Sequence, residues 1–141
     1  MSFSVVLSFL FATPAIDVLH AWDAARAHAF VAADRSALSG LYVDGSRAGA
    51  RDLKLFDRYD AAGVGVTSMR TQIFAARPGA VSSRRVSIEV VDRVVATGAD
   101  GSRCLRLPSS PARAERVTLR RRDGRWVVSS VNGAGRWPAR R

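Results

Sequence analysis

One carboxylate in the sequence has a position that suits acid–base chemistry. Val86, Ile88 and Val90 alternate along a predicted strand, and Asp92 continues their parity toward the same face. A carboxyl that faces an apolar interior loses solvation of its charged form, so its pKa rises toward neutrality and it can transfer protons near neutral pH. Arg70, on the preceding strand, would be its counter-charge if a bulge turned that side chain inward. Asp92 and Arg70 are therefore the catalytic candidates.

A second interpretation of Asp92, as a surface residue, is favoured by the same pattern. The adjacent pair Val90 and Val91 interrupts the alternation, and a bulge there would turn Asp92 outward beside Arg93. The carboxylate would then belong to an ion pair on the surface, which is a common role for an acidic residue on a strand.

Aromatic residues on the predicted helices are candidates for the lining of a ligand pocket. They recur at spacings that place them toward a common interior, and they would suit a small hydrophobic ligand. The same spacing is typical of plain core packing, so both interpretations stay open. The candidate pocket residues are Trp22, Tyr42, Phe56 and Tyr59.

The charge balance favours attraction to something anionic. The chain has 22 basic against 12 acidic residues, a formal net charge of +10, and all of the basic residues except Lys54 are arginine. If Val117 and Leu119 point inward, the arginines of opposite parity on the same strand point outward and, with one arginine of the neighbouring strand, form a basic stripe that could bind a polyanion. A solvated face that prevents aggregation of sheet edges is the alternative. The predicted stripe consists of Arg106, Arg116, Arg120 and Arg122.

Neither a metal site nor a nucleotide cofactor is expected. The chain has a single cysteine, Cys104, and its two histidines, His20 and His28, are eight residues apart, so no set of residues has metal-ligand spacing. Phosphate-binding loops, dinucleotide glycine fingerprints and nucleophile elbows are absent from the sequence.

The elements that would position these residues are helices first and strands afterwards. Val18, Trp22, Ala25 and Ala29 follow a helical period, which predicts a first helix over residues 16–33. A short helix over 36–42 would be capped by Asp34, and a third, capped at or near residue 46, would end at residue 63.

After residue 63 the apolar period changes to two, which predicts an antiparallel meander. The strands are expected over 64–76, 81–97, a short segment through 105–107, 115–122 and 125–131. Pro78-Gly79, Asp100-Gly101 and Asp123-Gly124 are the predicted turns. Helices followed by a meander indicate the α+β class.

One domain, over residues 16–131, is expected between two terminal segments. Residues 1–15 contain an apolar run of the length of a signal-peptide core, although no basic residue precedes it, and we expect export to the cell envelope. An extra strand or helical turn is the alternative. Residues 132–141 form a basic tail that we expect to be flexible.

Three segments, VLHAWDAARAHAFVAAD, ALSGLYVDGS and VTLRRRDGRWVVSSV, resemble the nuclear-transport-factor-2-like (NTF2-like) superfamily. This superfamily includes small polyketide cyclases, ketosteroid isomerases and many non-catalytic modules. The resemblance implies a cone in which three N-terminal helices pack in the concave face of a curved antiparallel sheet of four to five strands. It also implies a pocket between the first helix and the sheet, and dimerisation through the sheet.

The resemblance predicts a non-catalytic module that binds a small ligand or another protein, because the full set of isomerase side chains cannot be placed in this chain. An isomerase, cyclase or hydrolase that uses Asp92, and a polyanion-binding protein, are the alternatives. The like charges on the predicted outer face favour a monomer over the implied dimer.

Overall fold

The computed structural model describes residues 14–134, which form three helices followed by a five-stranded antiparallel sheet. The predicted signal segment, apart from its last two residues, and the end of the basic tail lie outside these described residues. The helices are α1 (Ala15–Val31), α2 (Arg35–Ser39) and α3 (Arg47–Ala61); the strands are β1 (Gly65–Val81), β2 (Arg85–Asp100), β3 (Arg103–Arg106), β4 (Arg113–Arg122) and β5 (Arg125–Gly133).

The predicted fold class is confirmed, because the three helices pack against one face of a curved, unclosed sheet. The strands follow the order β1-β2-β4-β5, and β3 pairs with the far end of β2. Register shifts in the β1–β2 and β4–β5 pairs add to the curvature of the sheet. Within the described part of the chain, no helix is long and apolar enough to cross a membrane.

Local signals define the helix ends and the tightest turn. The Asp34 side chain accepts a hydrogen bond from the Ala37 amide at 2.9 Å, and the Ser46 hydroxyl accepts one from the Gly49 amide at 3.0 Å. Both predicted N-caps are therefore confirmed. Asp123 and Gly124 have φ values of 51° and 75°, the left-handed conformation that a two-residue hairpin turn requires.

The prediction of a turn at Pro78-Gly79 was wrong. Strand β1 continues through both residues to Val81, with a register shift between Pro78 and Val81. Proline is tolerated here because β1 is an edge strand, where a missing N–H interrupts only one ladder. At the other end of the domain, β5 extends to Gly133, two residues past the predicted domain boundary.

The buried face of α1 also differs from the predicted one. Ala25 is exposed, and Arg26 takes the inward position four residues after Trp22. The face of α1 that packs on the sheet therefore contains a charged residue, Arg26, which the apolar pattern of the sequence did not predict. The most deeply buried side chains of the core are Leu38, Val86, Ile88, Val90, Leu119 and Val128.

Candidate functional site

A buried ion pair between α1 and α3 forms one wall of the site. Arg26 donates hydrogen bonds from Nε to Oδ2 of Asp52 at 2.5 Å and from Nη2 to Oδ1 at 2.6 Å. The two side chains are only 10% and 9% exposed. The hydroxyl of Tyr42 donates a further hydrogen bond to Oδ2 of the same carboxylate. Because these groups compensate one another, the charges are tolerated away from water.

The protonation states in this wall follow from its geometry. Burial alone would lower the pKa of the Arg26 guanidinium, but the hydrogen bonds and negative charge of Asp52 outweigh it and raise that pKa. Burial, reinforced by the charge of Asp52, raises the pKa of Tyr42 far above its usual value. Arg26 is therefore charged and Tyr42 neutral across the physiological range.

The loop after α2 positions Tyr42. The indole Nε1 of Trp22 donates to the backbone oxygen of Leu41 at 2.9 Å, and the rings of Trp22 and Tyr42 pack edge to face with centroids 5.3 Å apart. The amide of Val128 on β5 donates to the same Leu41 oxygen at 2.9 Å. These contacts join the loop to both α1 and the sheet, so they hold the tyrosine ring in place.

Two acidic side chains, Asp92 and Glu115, face this wall from neighbouring strands of the sheet. Asp92 lies opposite Arg113 and Glu115 opposite Val90 in the β2–β4 register, so both follow the inward parity. Burial raises the pKa of Asp92 from 3.8 to about 7, and the charge and hydrogen bonding of Glu115 add to the increase. A carboxyl with this pKa exchanges a proton readily near neutral pH.

A third carboxyl, that of Asp23, lies on α1 one turn before Arg26. Burial raises its pKa from 3.8 to about 6, although the charge of Arg26 and a hydrogen bond with Thr71 act in the opposite direction. Its Oδ2 atom is buried and has no hydrogen-bond partner within residues 14–134. A buried acceptor of this kind is available to a ligand or to a protonated neighbour.

Two adjoining pockets lie between the helices and the concave face of the sheet. The outer pocket has a volume of about 580 Å³ and is bordered by α3, the sheet and the loop 107–112. The inner pocket, of about 190 Å³, extends toward Trp22, Tyr42 and Asp23. Both are lined by Arg26, Asp92, Val94 and Glu115, so the acidic pair lies at their junction.

The structure separates the two predicted catalytic residues. The β2–β4 register is continuous from Arg85 to Asp92, and the bulge lies instead on β1, between Ile73 and Ala75, so Asp92 keeps its inward parity. Arg70 is exposed on the opposite, convex face of the sheet and lines a different groove. The register shifts on either side of Arg70, between Val66 and Ser68 and between Ile73 and Ala75, leave it exposed; Arg26 supplies the positive charge near Asp92 instead.

Three of the four predicted aromatic residues line the pockets. Trp22 and Tyr42 line the inner pocket, and Tyr59 lines the outer one. Phe56 is buried in the core instead, with its ring 5.8 Å from that of Phe30.

Four charged residues of the site were not predicted from the sequence: Asp23, Arg26, Asp52 and Glu115. One signal was present, because Arg26 lies four residues after Trp22 and hence on the same helix face. The partners of Arg26 lie on other elements, and no local pattern shows that α3 places Asp52 against it. Within residues 14–134, no group of three or more His, Cys, Asp or Glu side chains is arranged to hold a metal ion.

Solved structures with the same architecture exist, although no family model matches the chain and no curated protein matches its sequence. Aln2 from a Streptomyces species superposes with a TM-score of 0.57 at 18% identity, covering 86% of this chain and 93% of Aln2. An NTF2-like protein with a cystatin-like fold from Novosphingobium aromaticivorans gives a TM-score of 0.55 at 15% identity, over 98% of this chain and 94% of that one. The fold is NTF2-like.

ActVI-ORFA from Streptomyces coelicolor shares the NTF2-like architecture, with a TM-score of 0.53 at 14% identity over 87% of this chain and 97% of that protein. Identities this low establish the fold and leave the activity to be argued from the site.

On the convex face of the NTF2-like sheet, the four arginines of the predicted stripe do not form one continuous group. Arg116 donates a hydrogen bond to Glu89 at 2.6 Å, and Glu89 also binds Arg77, so these charges are partly neutralised. Arg120 and Arg122 are exposed on the same strand. The fourth member, Arg106, lies apart from them, in a groove of about 530 Å³ that Arg70 and Arg93 also line.

Proposed function

We propose that this NTF2-like chain binds a small, partly apolar molecule in the two adjoining pockets and that Asp92 transfers a proton to or from it. The observation on which this rests is the position of Asp92 beside Glu115 at the junction of the pockets. The outer pocket has the volume of a typical small-molecule site. Its acidic pair supplies a group whose protonation changes near neutral pH.

The chemistry that fits is a proton shift within one molecule. The carboxylate of Asp92 would take a proton from an acidic C–H or O–H bond of the bound molecule and become a carboxylic acid. The same carboxyl would then return the proton to a second atom of that molecule, so the isomerisation leaves the protein unchanged. Cyclisation would begin with the same proton transfer in a different bound molecule, whereas in hydrolysis Asp92 would take the proton from the attacking water.

Arg26 is placed to stabilise the negative charge that forms when the proton is removed. Its Nε and Nη2 atoms bind Asp52, and within the described residues Nη1 has only Sδ of Met69, at 3.6 Å, as a hydrogen-bond acceptor. A thioether is a weak acceptor, so Nη1 can bind a stronger one such as an enolate oxygen. The bond to Asp52 keeps the guanidinium fixed while it does so.

Deuterium exchange tests the proposal. The full chain would be incubated in D₂O with a panel of enolisable cyclic and aromatic ketones, and incorporation of deuterium would be followed by NMR. We expect incorporation into at least one compound and a decrease of about 100-fold or more in Asp92→Asn. Asp100→Asn, which changes an exposed carboxylate outside both pockets, is the matched control and should retain the wild-type rate.

Two other outcomes have distinct meanings. Binding of the compounds without exchange in the wild-type chain would contradict proton transfer and leave a non-catalytic binding module. Absence of binding and exchange across the panel, with both variants folded, would contradict the use of this pocket altogether.

Anion binding on the convex face is a second candidate function, supported by the groove of Arg70, Arg93 and Arg106. The residues that line this groove include no acidic side chain, and they add the hydroxyls of Ser68 and Thr97. Retention on immobilised heparin should decrease more in Arg70→Gln/Arg106→Gln than in Arg120→Gln/Arg122→Gln, which removes the same charge. Equal decreases would indicate diffuse charge and no site.

A further inference from the structure

The rim of the outer pocket is basic where its floor is acidic. Three exposed arginines line the pocket; Arg93 donates a hydrogen bond to Gln72, and the other two come from different elements, Arg58 near the end of α3 and Arg113 at the start of β4. The hydroxyls of Ser109 and Ser110, in the loop before β4, complete the same rim. We call Arg58, Arg113, Ser109 and Ser110 the rim. Guanidinium and hydroxyl groups on one edge are the donors that bind an anionic oxygen group.

The two arginines of the rim form no ion pair within the described part of the chain. Arg58 and Arg113 are exposed, and neither forms an ion pair with a residue among 14–134. The buried arginine of the pocket, Arg26, is already compensated by Asp52. An anion that enters the pocket therefore meets two guanidinium groups that have no ion-pair partner among residues 14–134.

The register relates the rim to the site of proton transfer. Arg113 lies directly opposite Asp92 in the β2–β4 pair, so the two residues belong to neighbouring strands at the same level of the sheet. A molecule whose anionic group binds the rim would therefore place its next few atoms over Asp92. Its remaining, apolar part would extend toward Val94, Met69 and the inner pocket.

From this arrangement we infer that the molecule bound in the pocket is a small organic anion, with a carboxylate or similar oxygen group held by Arg58 and Arg113 and an apolar ring or chain directed inward. The inference rests on the proposed function and adds the chemical class of the substrate. A neutral molecule of the same shape would fill the pocket but leave both guanidinium groups without a partner.

Two fluorescent probes that differ only in charge test the inference. The anionic probe is 1-anilinonaphthalene-8-sulfonate, and N-phenyl-1-naphthylamine is its neutral counterpart without the sulfonate. We expect the full chain at low salt to bind the anionic probe more tightly. Arg58→Gln/Arg113→Gln should weaken that binding by about 10-fold and leave the affinity for the neutral probe unchanged.

A matched variant separates a local site from the high net charge of the chain. Arg120→Gln/Arg122→Gln removes two charges from the convex face, away from both pockets, and should change the affinity for either probe by less than about 2-fold. All proteins would be compared by near-ultraviolet circular dichroism, so that probe binding to loosened variants is recognised.

The possible failures differ from one another. Equal weakening by both double variants, or no preference for the anionic probe, would overturn the inference of an anionic ligand while the pocket proposal stands. Failure of the folded wild-type chain to bind either probe would overturn the inference and the proposed pocket together.

Discussion

Arg26 and Asp52 are 26 residues apart in the sequence, yet they form a two-pronged ion pair inside the protein, with hydrogen bonds of 2.5 and 2.6 Å. The pair joins α1 to α3 behind the pocket. The hydroxyl of Tyr42 donates a further hydrogen bond to the carboxylate of Asp52. A charge that is buried with its partner is stable, but the same charge without its partner is costly. This asymmetry makes the pair a sensitive point for mutation.

Replacing the acidic partner should destabilise the fold strongly. In Asp52→Asn the guanidinium of Arg26 stays buried without a counter-charge, and we expect the free energy of unfolding to decrease by about 3–5 kcal/mol. Urea denaturation would measure it. The control is Asp57→Asn, which breaks the exposed pair with Arg35 and should change stability little, because water solvates both groups. Similar losses in the two variants would show that burial of the Arg26 pair has no special cost.

Removing the tyrosine hydroxyl should have a smaller effect. Tyr42→Phe keeps the ring packed against Trp22 and removes only the hydrogen bond to Asp52, for which we expect a loss of about 1–2 kcal/mol. A double-mutant cycle with Asp52→Asn should show that the two losses are not additive. Additive losses would mean that the hydroxyl and the ion pair act independently.

Stability should decrease as the pH rises from about 4 to about 7. The pKa values of Asp23 and Asp92 are raised to about 6 and about 7 in the folded chain, so the folded state holds protons that the unfolded state has lost. Their stabilising contribution is complete below the usual pKa of 3.8 and is lost as the pH passes the raised values. Glu89 and Asp57, whose pKa values are lowered, act in the opposite direction but at lower pH.

The double variant Asp23→Asn/Asp92→Asn tests this assignment. It should flatten the pH dependence and increase stability near pH 8 by about 1–2 kcal/mol, a value reduced for the partial exposure of Asp92. Urea denaturation at several pH values measures both effects. A wild-type stability that increases over this range would contradict the raised pKa values.

Adding one methyl group at Gly49 should disturb the position of Tyr42. A Cβ there would lie 2.8 Å from Oγ of Ser46 and 2.9 Å from Cβ of Tyr42. Helix propensity favours alanine by about 1 kcal/mol, so a net loss of about 1–2 kcal/mol in Gly49→Ala would show that the steric clash dominates. Gly40→Ala is the control, because its new Cβ would have only ordinary contacts at 3.5 Å or more. A Gly49→Ala variant as stable as that control would contradict the close approach.

Order and type of the elements were largely predictable from the sequence. The change in apolar period after residue 63, the caps at Asp34 and Ser46, and the turn at Asp123-Gly124 depend on residues close to one another along the chain. Such interactions form in the same way wherever the segment lies in the fold. The alternation of Val86, Ile88 and Val90 is local in the same way, but the side on which Asp92 lies was decided by the pairing of strands, which places the nearby bulge on β1 and not on β2.

The rest of the site was decided by tertiary packing. Pro78 could stay in a strand only because β1 became an edge, and Arg26 could be buried only because α3 placed Asp52 against it. Glu115 became the neighbour of Asp92 through the pairing of β2 with β4. Local patterns of hydrophobicity and turn residues therefore determined which elements form. The partners of each buried charge depend on how distant elements meet, because the energy of a buried charge depends on what surrounds it and not on its neighbours in sequence.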